Sequence, residues 1–248
     1  MSTNKMDATP NQGQTMRKNP STGLRSPNLF AKSPVIGTIL FIFGLLVFAG
    51  LLYNLRAQST LLELDRRLAI SWPAIALKGP TYLKSLMDAG FYIGDQVIIG
   101  LGVLLGIYFI IKRYWQELAM VAIGLAGSSA LFLSLSNLID RTRPATQIWI
   151  IENIPGFPSG HAITVVAFYG LLAYLLVPRI SSAFWKVVVV ILMLLIIGFV
   201  GFSRVFTGGH YLTDVLAGYA VGIAWFGLVY TLIEVYFQKR RNRNVKKE

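Results

Sequence analysis

Six long apolar runs without a charged side chain are the feature that most limits how this sequence can fold. Each run is close to the roughly 17–25 residues with which a helix crosses the hydrocarbon layer of a membrane. The second reaches that length only if it includes a first turn from around Asp95. A water-soluble bundle would need charged, solvent-facing stripes, and these runs have none. We therefore predict an all-α membrane protein with six transmembrane helices, at residues 33–55, 96–111, 118–139, 162–178, 187–203 and 215–233.

The distribution of charge orients these spans. The chain is 54% hydrophobic and 14% charged, whereas about a quarter of residues are charged in an average soluble domain. Of its 23 Lys and Arg residues, five lie in residues 1–32, six in residues 239–248 and four in loops that six spans place on the same side. The positive-inside rule makes that side, with both termini, cytoplasmic. The net charge of +12 therefore indicates basic tails beside anionic lipid rather than a nucleic-acid-binding surface.

The chain divides into three parts. Residues 1–32 are rich in Asn, Gln, Ser, Thr, Pro and Lys, which predicts a disordered basic cytoplasmic tail. Residues 33–237 form the membrane domain, and residues 238–248 form a second basic cytoplasmic tail. Residues 56–90, between the first two spans, mix leucines with charged residues, and an amphipathic helix lying in the outer interface fits that mixture. Cysteine is absent, which excludes a disulfide or a thiolate site.

Nearly all reactive side chains fall at the outer ends of spans three to six. Alternating spans bring three short segments to one face of the membrane, and both histidines of the chain lie in them. We expect the segments to meet in one site, whose candidate residues are Asp140, Arg141, Arg143, Ser159, His161, Arg204, His210 and Asp214.

His210 and Asp214 are four residues apart at the start of the sixth span. If that turn is helical, the two side chains lie on the same face. The carboxylate can then accept the Nδ1 proton, which leaves a lone pair on Nε2 and makes His210 a candidate nucleophile. A His–Asp pair alone is more often only a structural contact.

The residues Ser159, Gly160 and His161 stand directly before the fourth span. Ser159 is placed to cap that helix, and Gly160 leaves room for an anion at the free backbone N–H groups. His161 can donate a proton to a leaving oxygen and later take one from water. The alternative for this segment alone is a capped helix with an unrelated histidine.

The three arginines Arg141, Arg143 and Arg204 match the several oxygens of a phosphoryl group. Arginine at the end of a span also contacts lipid headgroups for reasons unrelated to catalysis. Three arginines beside two histidines favour a phosphate site.

The three segments resemble, in order, the signature motifs of the type 2 phosphatidic acid phosphatase superfamily, KxxxxxxRP, PSGH and SRxxxxxHxxxD. The second and third motifs match completely, at residues 158–161 and 203–214. The first matches only at Arg143-Pro144, because Ser136 stands where the motif has lysine. The hypothesis that follows is that Arg141 supplies the missing charge.

The resemblance spans residues 90–237 and implies a six-helix core of the phosphatidic acid phosphatase and haloperoxidase type, with the site at the outer surface of the plasma (inner) membrane, facing outside or the periplasm. It implies hydrolysis without a metal ion or other cofactor, and the sequence shows no ligand-spaced metal cluster. His210 would form a phosphohistidine, Asp214 would orient it and His161 would protonate the leaving group. The residues implied in binding phosphate are Arg143, Arg204, Ser159 and Gly160.

The implied substrate is a lipid phosphate or diphosphate, namely undecaprenyl diphosphate, phosphatidylglycerol phosphate or phosphatidate. Chemistry at the outer face favours the polyprenyl carrier somewhat. The alternatives are a lipid phosphotransferase and a non-catalytic protein that binds or transports lipid phosphates. The sequence leaves the oligomeric state open.

Overall fold

The computed structural model describes residues 33–57, 60–145 and 155–245, and all regular structure in these ranges is helical. The tail predicted for residues 1–32 lies outside them. A π-helical turn at Ile93–Val97 and a 3-10 turn at Val177–Arg179 accompany the α-helices. The α-helices are α1 (Pro34–Arg56), α2 (Thr60–Lys78), α3 (Thr81–Tyr92), α4 (Ile98–Ile111), α5 (Trp115–Ile139), α6 (Gly160–Leu176), α7 (Ala183–Phe206) and α8 (Leu212–Val245).

Six helical segments are long and apolar enough to cross a membrane, which confirms the six predicted spans. The second span differs most from its prediction. α3, the π-helical turn and α4 form one segment of 31 residues, Thr81–Ile111, which starts well before residue 96. Asp95 ended the charge-free run in the sequence, but both Asp95 and the earlier Asp88 line a cavity inside the bundle. Charged residues within spans characteristically face such interior cavities.

α6 and α8 form the centre of the bundle, because half of the most apolar stretch of each is buried, against 11–22% for the other spans. α1 packs closely along α8. A Cβ on Gly37 would lie 2.6 Å from the Gly227 carbonyl oxygen, so glycine is required at this contact. The exposed faces of α1, α4 and α7 carry large apolar side chains, as contact with lipid requires.

Two further glycines bring the start of α8 against the start of α6. A Cβ on Gly218 would lie 2.6 Å from the Ser159 carbonyl oxygen, and one on Gly222 would lie 2.9 Å from that of Ile163. Backbones can approach this closely only where small residues face each other. The approach places the first turns of α6 and α8, in which the second and third sequence motifs end, side by side.

α2 occupies part of the segment for which an interfacial helix was predicted, and it ends at Lys78 rather than near residue 90. Its buried positions follow helical spacing at Asp65, Ala69, Pro73 and Ala76. Large apolar side chains on its other faces are exposed: Leu64, Ile70, Ile75 and Leu77. α2 therefore covers the motif-bearing end of the bundle, and one of its buried positions is a carboxylate.

Candidate active site

The chain leaves α5 through a left-handed residue. Asp140 has φ 45° and ψ 46°, and its N–H donates to the Ser136 carbonyl oxygen at 2.9 Å. Aspartate visits this region more readily than most residues, and the conformation ends a helix. Arg141 follows directly and Arg143 two residues later, and their guanidinium groups bind different partners.

α6 begins at Gly160, after the N-cap residue Ser159. The Ser159 N–H donates to the Asp214 carbonyl oxygen at 2.9 Å, which ties α6 to the first turn of α8. The Ser159 hydroxyl is fully buried and has no hydrogen-bond partner among the described residues. Such a group is costly to bury. A phosphate oxygen at this helix N-terminus would supply the missing acceptor.

The turn between α7 and α8 holds the backbone of His210. The N–H groups of Gly209 and His210 both donate to the Arg204 carbonyl oxygen, at 3.0 and 3.1 Å. Gly208 has φ 71°, in the region that favours glycine. Because the His210 side chain is only 2% exposed, protein groups rather than water decide which way its ring points.

Two contacts determine the tautomer of His210. Nδ1 lies 2.8 Å from the Gly156 carbonyl oxygen, and Nε2 lies 3.0 Å from Nη1 of Arg143. A carbonyl oxygen only accepts hydrogen bonds and a guanidinium only donates them. Nδ1 therefore carries the proton, and Nε2 keeps a lone pair. This is the tautomer that a nucleophile acting through Nε2 requires.

The prediction that Asp214 accepts a hydrogen bond from Nδ1 of His210 is wrong. Oδ2 of Asp214 lies 3.7 Å from Nδ1 of His210, beyond hydrogen-bond distance, because the Gly156 carbonyl takes that proton. Oδ2 of Asp214 instead accepts from the Tyr211 N–H at 2.9 Å. At 3.7 Å the carboxylate still stabilises positive charge on the ring through space.

The pKa of His210 lies well below its usual value of 6.5. Burial is the main cause, and the positive charges of Arg143 and Arg204 lower the pKa further, while the hydrogen bond to Gly156 raises it. The ring is therefore neutral at neutral pH, and its Nε2 lone pair accepts from Arg143 in this structure.

Both histidines line one cavity of about 610 Å³ at the motif-bearing end of the bundle. Arg143 and Gly160 line it with them. Of the nine site residues expected from the sequence, which include Gly160, these four reach the cavity wall. The deeper wall is mostly apolar, with Ile98, Ile99, Leu125, Phe132 and Thr164.

Arg204 lies behind this wall. Its guanidinium carbon is 4.3 Å from the centre of the Phe91 ring, which lines the cavity. The residue is only 4% exposed, and its Nε atom has no hydrogen-bond partner within the described ranges. Arg204 and Ser159 are therefore two buried donors near the histidines that a bound anion would satisfy.

Arg141 does not line the cavity, which argues against the hypothesis that it replaces the missing lysine as a phosphate ligand. Its Nη1 donates to Asp214 Oδ1 at 2.5 Å and its Nη2 to Asp65 Oδ2 at 2.9 Å. The guanidinium also lies 4.2 Å from the centre of the Tyr211 ring. Ser136, at the motif lysine position, is buried and donates to the Leu133 carbonyl oxygen.

Sequence reasoning left three features out of the site. Asp88 and Asp95 line the cavity from α3 and the π-helical turn, and a single-turn π-helix is frequent at functional sites. The third is the Gly156 carbonyl, a backbone group that residue type does not reveal. Gly160 also differs from expectation, since a Cβ there would lie 2.9 Å from the Phe132 ring, so the glycine makes room for that ring.

No group of three or more His, Asp or Glu side chains that could hold a metal ion occurs among the residues described. Whether the reaction proceeds without a metal ion stays a prediction.

The chain is similar to a known protein family and to two named phosphatases. Residues 113–237 match the family model of the PAP2 superfamily. Phosphatidylglycerophosphatase B of Bacillus subtilis (strain 168) is 32% identical over 171 residues, which cover 65% of this chain and 80% of that protein. A lipid A 1-phosphatase of Rhizobium johnstonii is 42% identical over 77 residues, which cover 31% of this chain and 27% of that protein.

The fold also matches a solved structure. The crystal structure of the first transmembrane PAP2 type phosphatidylglycerolphosphate phosphatase from Bacillus subtilis superimposes with a TM-score of 0.64 at 28% sequence identity. The match covers 79% of this chain and 94% of that chain.

Proposed function

The chain belongs to the PAP2 superfamily of membrane phosphatases, and from that premise we propose that it hydrolyses phosphatidylglycerol phosphate through a phosphohistidine on His210. The observation that carries this proposal is that His210 and His161 share one cavity with Arg143. His210 has its Nε2 lone pair directed at Arg143, and His161 lies on the same wall.

The reaction has two steps. In the first, Nε2 of His210 attacks phosphorus, the bond from phosphorus to the leaving oxygen breaks, and His161 gives its proton to that oxygen. In the second, water attacks the phosphohistidine, His161 takes the water proton, and the N–P bond breaks to release inorganic phosphate.

Other groups stabilise charge during both steps. Arg143 donates to the phosphoryl oxygens, with Arg204 and the unpartnered Ser159 hydroxyl as the nearby buried donors. Asp214, at 3.7 Å, stabilises the positive charge that the His210 ring acquires when Nε2 forms its bond to phosphorus.

A lipid substrate fits the depth of the cavity. Ser129 and Leu125 line it from α5 and lie ten and fourteen residues before the end of that helix at Ile139. At 1.5 Å per residue these positions are roughly 15 and 21 Å below the end of the span. An aqueous phosphate ester does not need an apolar wall this deep, whereas an acyl or prenyl chain does.

The choice among lipids rests on the relatives. The Bacillus subtilis protein that this chain matches over most of its length is called a phosphatidylglycerophosphatase. That similarity makes phosphatidylglycerol phosphate the first substrate to test, ahead of undecaprenyl diphosphate and phosphatidate.

We place the site at the outer face of the plasma membrane. The other end of the bundle carries Lys112, Arg113, Arg179 and Lys186. The positive-inside rule makes that end cytoplasmic.

The test uses purified full-length protein in detergent and follows inorganic phosphate released from the three lipids, with no added acceptor and with EDTA present. We expect turnover of phosphatidylglycerol phosphate by the wild type, none with His210→Ala, and an acid-labile phosphoprotein that forms on the wild type and not on His210→Ala. Release of phosphate only when a hydroxyl acceptor is added would indicate a transferase. Wild-type turnover by His210→Ala would overturn the mechanism.

A further inference from the structure

Asp65 is a buried carboxylate that belongs to none of the three motifs. It lies on α2, in the buried stripe whose other members are Ala69, Pro73 and Ala76. It is 1% exposed. An ionised carboxylate is almost never buried this completely unless it is paired, so its partners indicate what it does.

Among the described residues, the hydrogen-bond partners of the Asp65 carboxylate belong to Arg141 and Thr213, beside the active site. Oδ2 accepts from Nη2 of Arg141 at 2.9 Å and from the Thr213 hydroxyl, and Oδ1 accepts from the Thr213 N–H at 3.0 Å. Thr213 directly precedes Asp214. The Thr213 hydroxyl also accepts from Nη1 of Arg141 at 2.8 Å, so the three residues form a closed ring of hydrogen bonds.

Arg141 connects this ring to the nucleophile by two routes. Its side chain donates to Oδ1 of Asp214, whose other oxygen faces His210. Its backbone carbonyl accepts from the Gly156 N–H at 2.7 Å, and the Gly156 carbonyl in turn holds Nδ1 of His210. The position of Arg141 therefore affects both groups next to the imidazole.

We propose that Asp65 is a positioning residue for the phosphatase reaction, which acts through Arg141 to hold Asp214 and the Gly156 carbonyl against His210. The proposal rests on the proposed function. A guanidinium has a rigid fork of donors, and here Asp65 and Asp214 take the two ends of that fork. Without Asp65 the Nη2 end of the fork loses this partner, and the contacts of Nη1 with Asp214 and Thr213 remain.

A second consequence concerns α2. This helix presents exposed Leu64, Ile70 and Leu77 beside its buried stripe. Asp65 binds Thr213 in the first turn of α8 and also binds Arg141. An ion pair and hydrogen bonds, in addition to apolar contacts, therefore hold α2 against the first turn of α8. This explains why one position of its buried stripe is acidic.

The first test compares Asp65→Asn with Glu63→Gln. Glu63 lies on the same helix, is exposed and pairs only with Arg67 on the surface among the residues described, so it controls for loss of one negative charge from α2. We expect Asp65→Asn to lower kcat by ~10- to 100-fold, the range that small misplacements of catalytic groups produce. KM should change less than about threefold, because Asp65 is not among the residues that line the cavity. Glu63→Gln should match wild type.

The second test separates positioning from general stability. If Asp65 acts through Arg141, then Arg141→Lys, which lacks the fork, and the double variant Asp65→Asn/Arg141→Lys should have equal kcat values. Independent structural damage would instead multiply the two losses. Multiplied losses, or a kcat for Asp65→Asn equal to that of wild type, would overturn the proposal.

A third variant covers the case in which Asp65→Asn does not fold. Thr213→Val removes the hydroxyl that links Asp65 to Arg141 and keeps the shape of the side chain, whereas Thr213→Ser keeps the hydroxyl. We expect the Val variant to lose kcat and the Ser variant to keep most of it; equal activity of the two would contradict the proposal. Wild type and His210→Ala are assayed alongside. If the proposed function is wrong, wild type shows no turnover or His210→Ala keeps it, whatever the result for the Asp65 variants.

Discussion

The Gly156 carbonyl oxygen lies 2.8 Å from Nδ1 of His210 and is therefore the group that holds the proton on that nitrogen. In a Ser-His-Asp triad the carboxylate has this task, and changing it to an amide costs about 10⁴ in kcat because the imidazole takes the wrong tautomer. Here the tautomer is fixed by a backbone group that side-chain substitution leaves in place. The role left to Asp214 is electrostatic.

We therefore expect Asp214→Asn to lower kcat by about 10- to 100-fold rather than 10⁴-fold. This decrease in kcat comes from removal of the negative charge that lies 3.7 Å from the His210 ring. Single-turnover assays with purified variants measure it. A loss as large as that of His210→Ala would mean that the carboxylate fixes the tautomer during the reaction.

The motif residues were easier to predict than their contacts. His161, His210 and Arg143 reach one cavity because spans of alternating direction bring their segments to the same end of the bundle. Arg141 does not reach it, although it stands two residues before Arg143. Its direction is decided by Asp65 and Asp214, and the first of these is 76 residues away in the chain. A local pattern contains no information about such a partner.

Asp88 and Asp95 show a second limit of sequence reasoning. A charge inside an apolar segment looks like the end of a span, and only the packed bundle shows whether it faces lipid or a cavity. The same holds for Asp65, which is one of several charged residues in α2 but is buried, whereas Glu63 is exposed.

The pH dependence of activity should report the depressed pKa of His210. The ring must be neutral to attack, so activity is lost as pH falls through its pKa, which burial, Arg143 and Arg204 hold well below 6.5. Replacing Arg143 by Gln removes a positive charge that disfavours protonation, so the acidic limb of kcat/KM should move to higher pH.

Arg143→Lys is the matched control, because it keeps the charge and the substrate titrates identically in both assays. Profiles of kcat/KM between pH 4 and 8 make the comparison. An acidic limb at the same pH in the Gln and Lys variants would show that another group controls it.

Gly218→Ala should destabilise the protein and reduce its activity. The new Cβ would lie 2.6 Å from the Ser159 carbonyl oxygen and 2.7 Å from Cβ of Ala162, and overpacking of this kind costs about 1–3 kcal/mol. Separation of α6 from α8 would also stretch the Ser159–Asp214 hydrogen bond.

The control is Gly100→Ala in α4, where a Cβ meets nothing within 4 Å. Alanine is the better helix former, so this variant should keep or raise the Tm. Thermal unfolding in detergent compares the two variants. Equal Tm values would show that α6 and α8 can move apart at no cost.

Asp95 should weaken the binding of free phosphate. Its carboxylate lines the same cavity as Arg143 and opposes any anion there. Asp95→Asn removes that repulsion, and at about 1 kcal/mol of altered electrostatic energy the inhibition constant for inorganic phosphate should fall roughly fivefold. Glu63→Gln removes an equal charge outside the cavity and should leave the constant unchanged. If Asp95→Asn instead weakened inhibition, the carboxylate would have to act by holding a phosphate-binding arginine in place, and the cavity would need that negative charge in order to bind its anion.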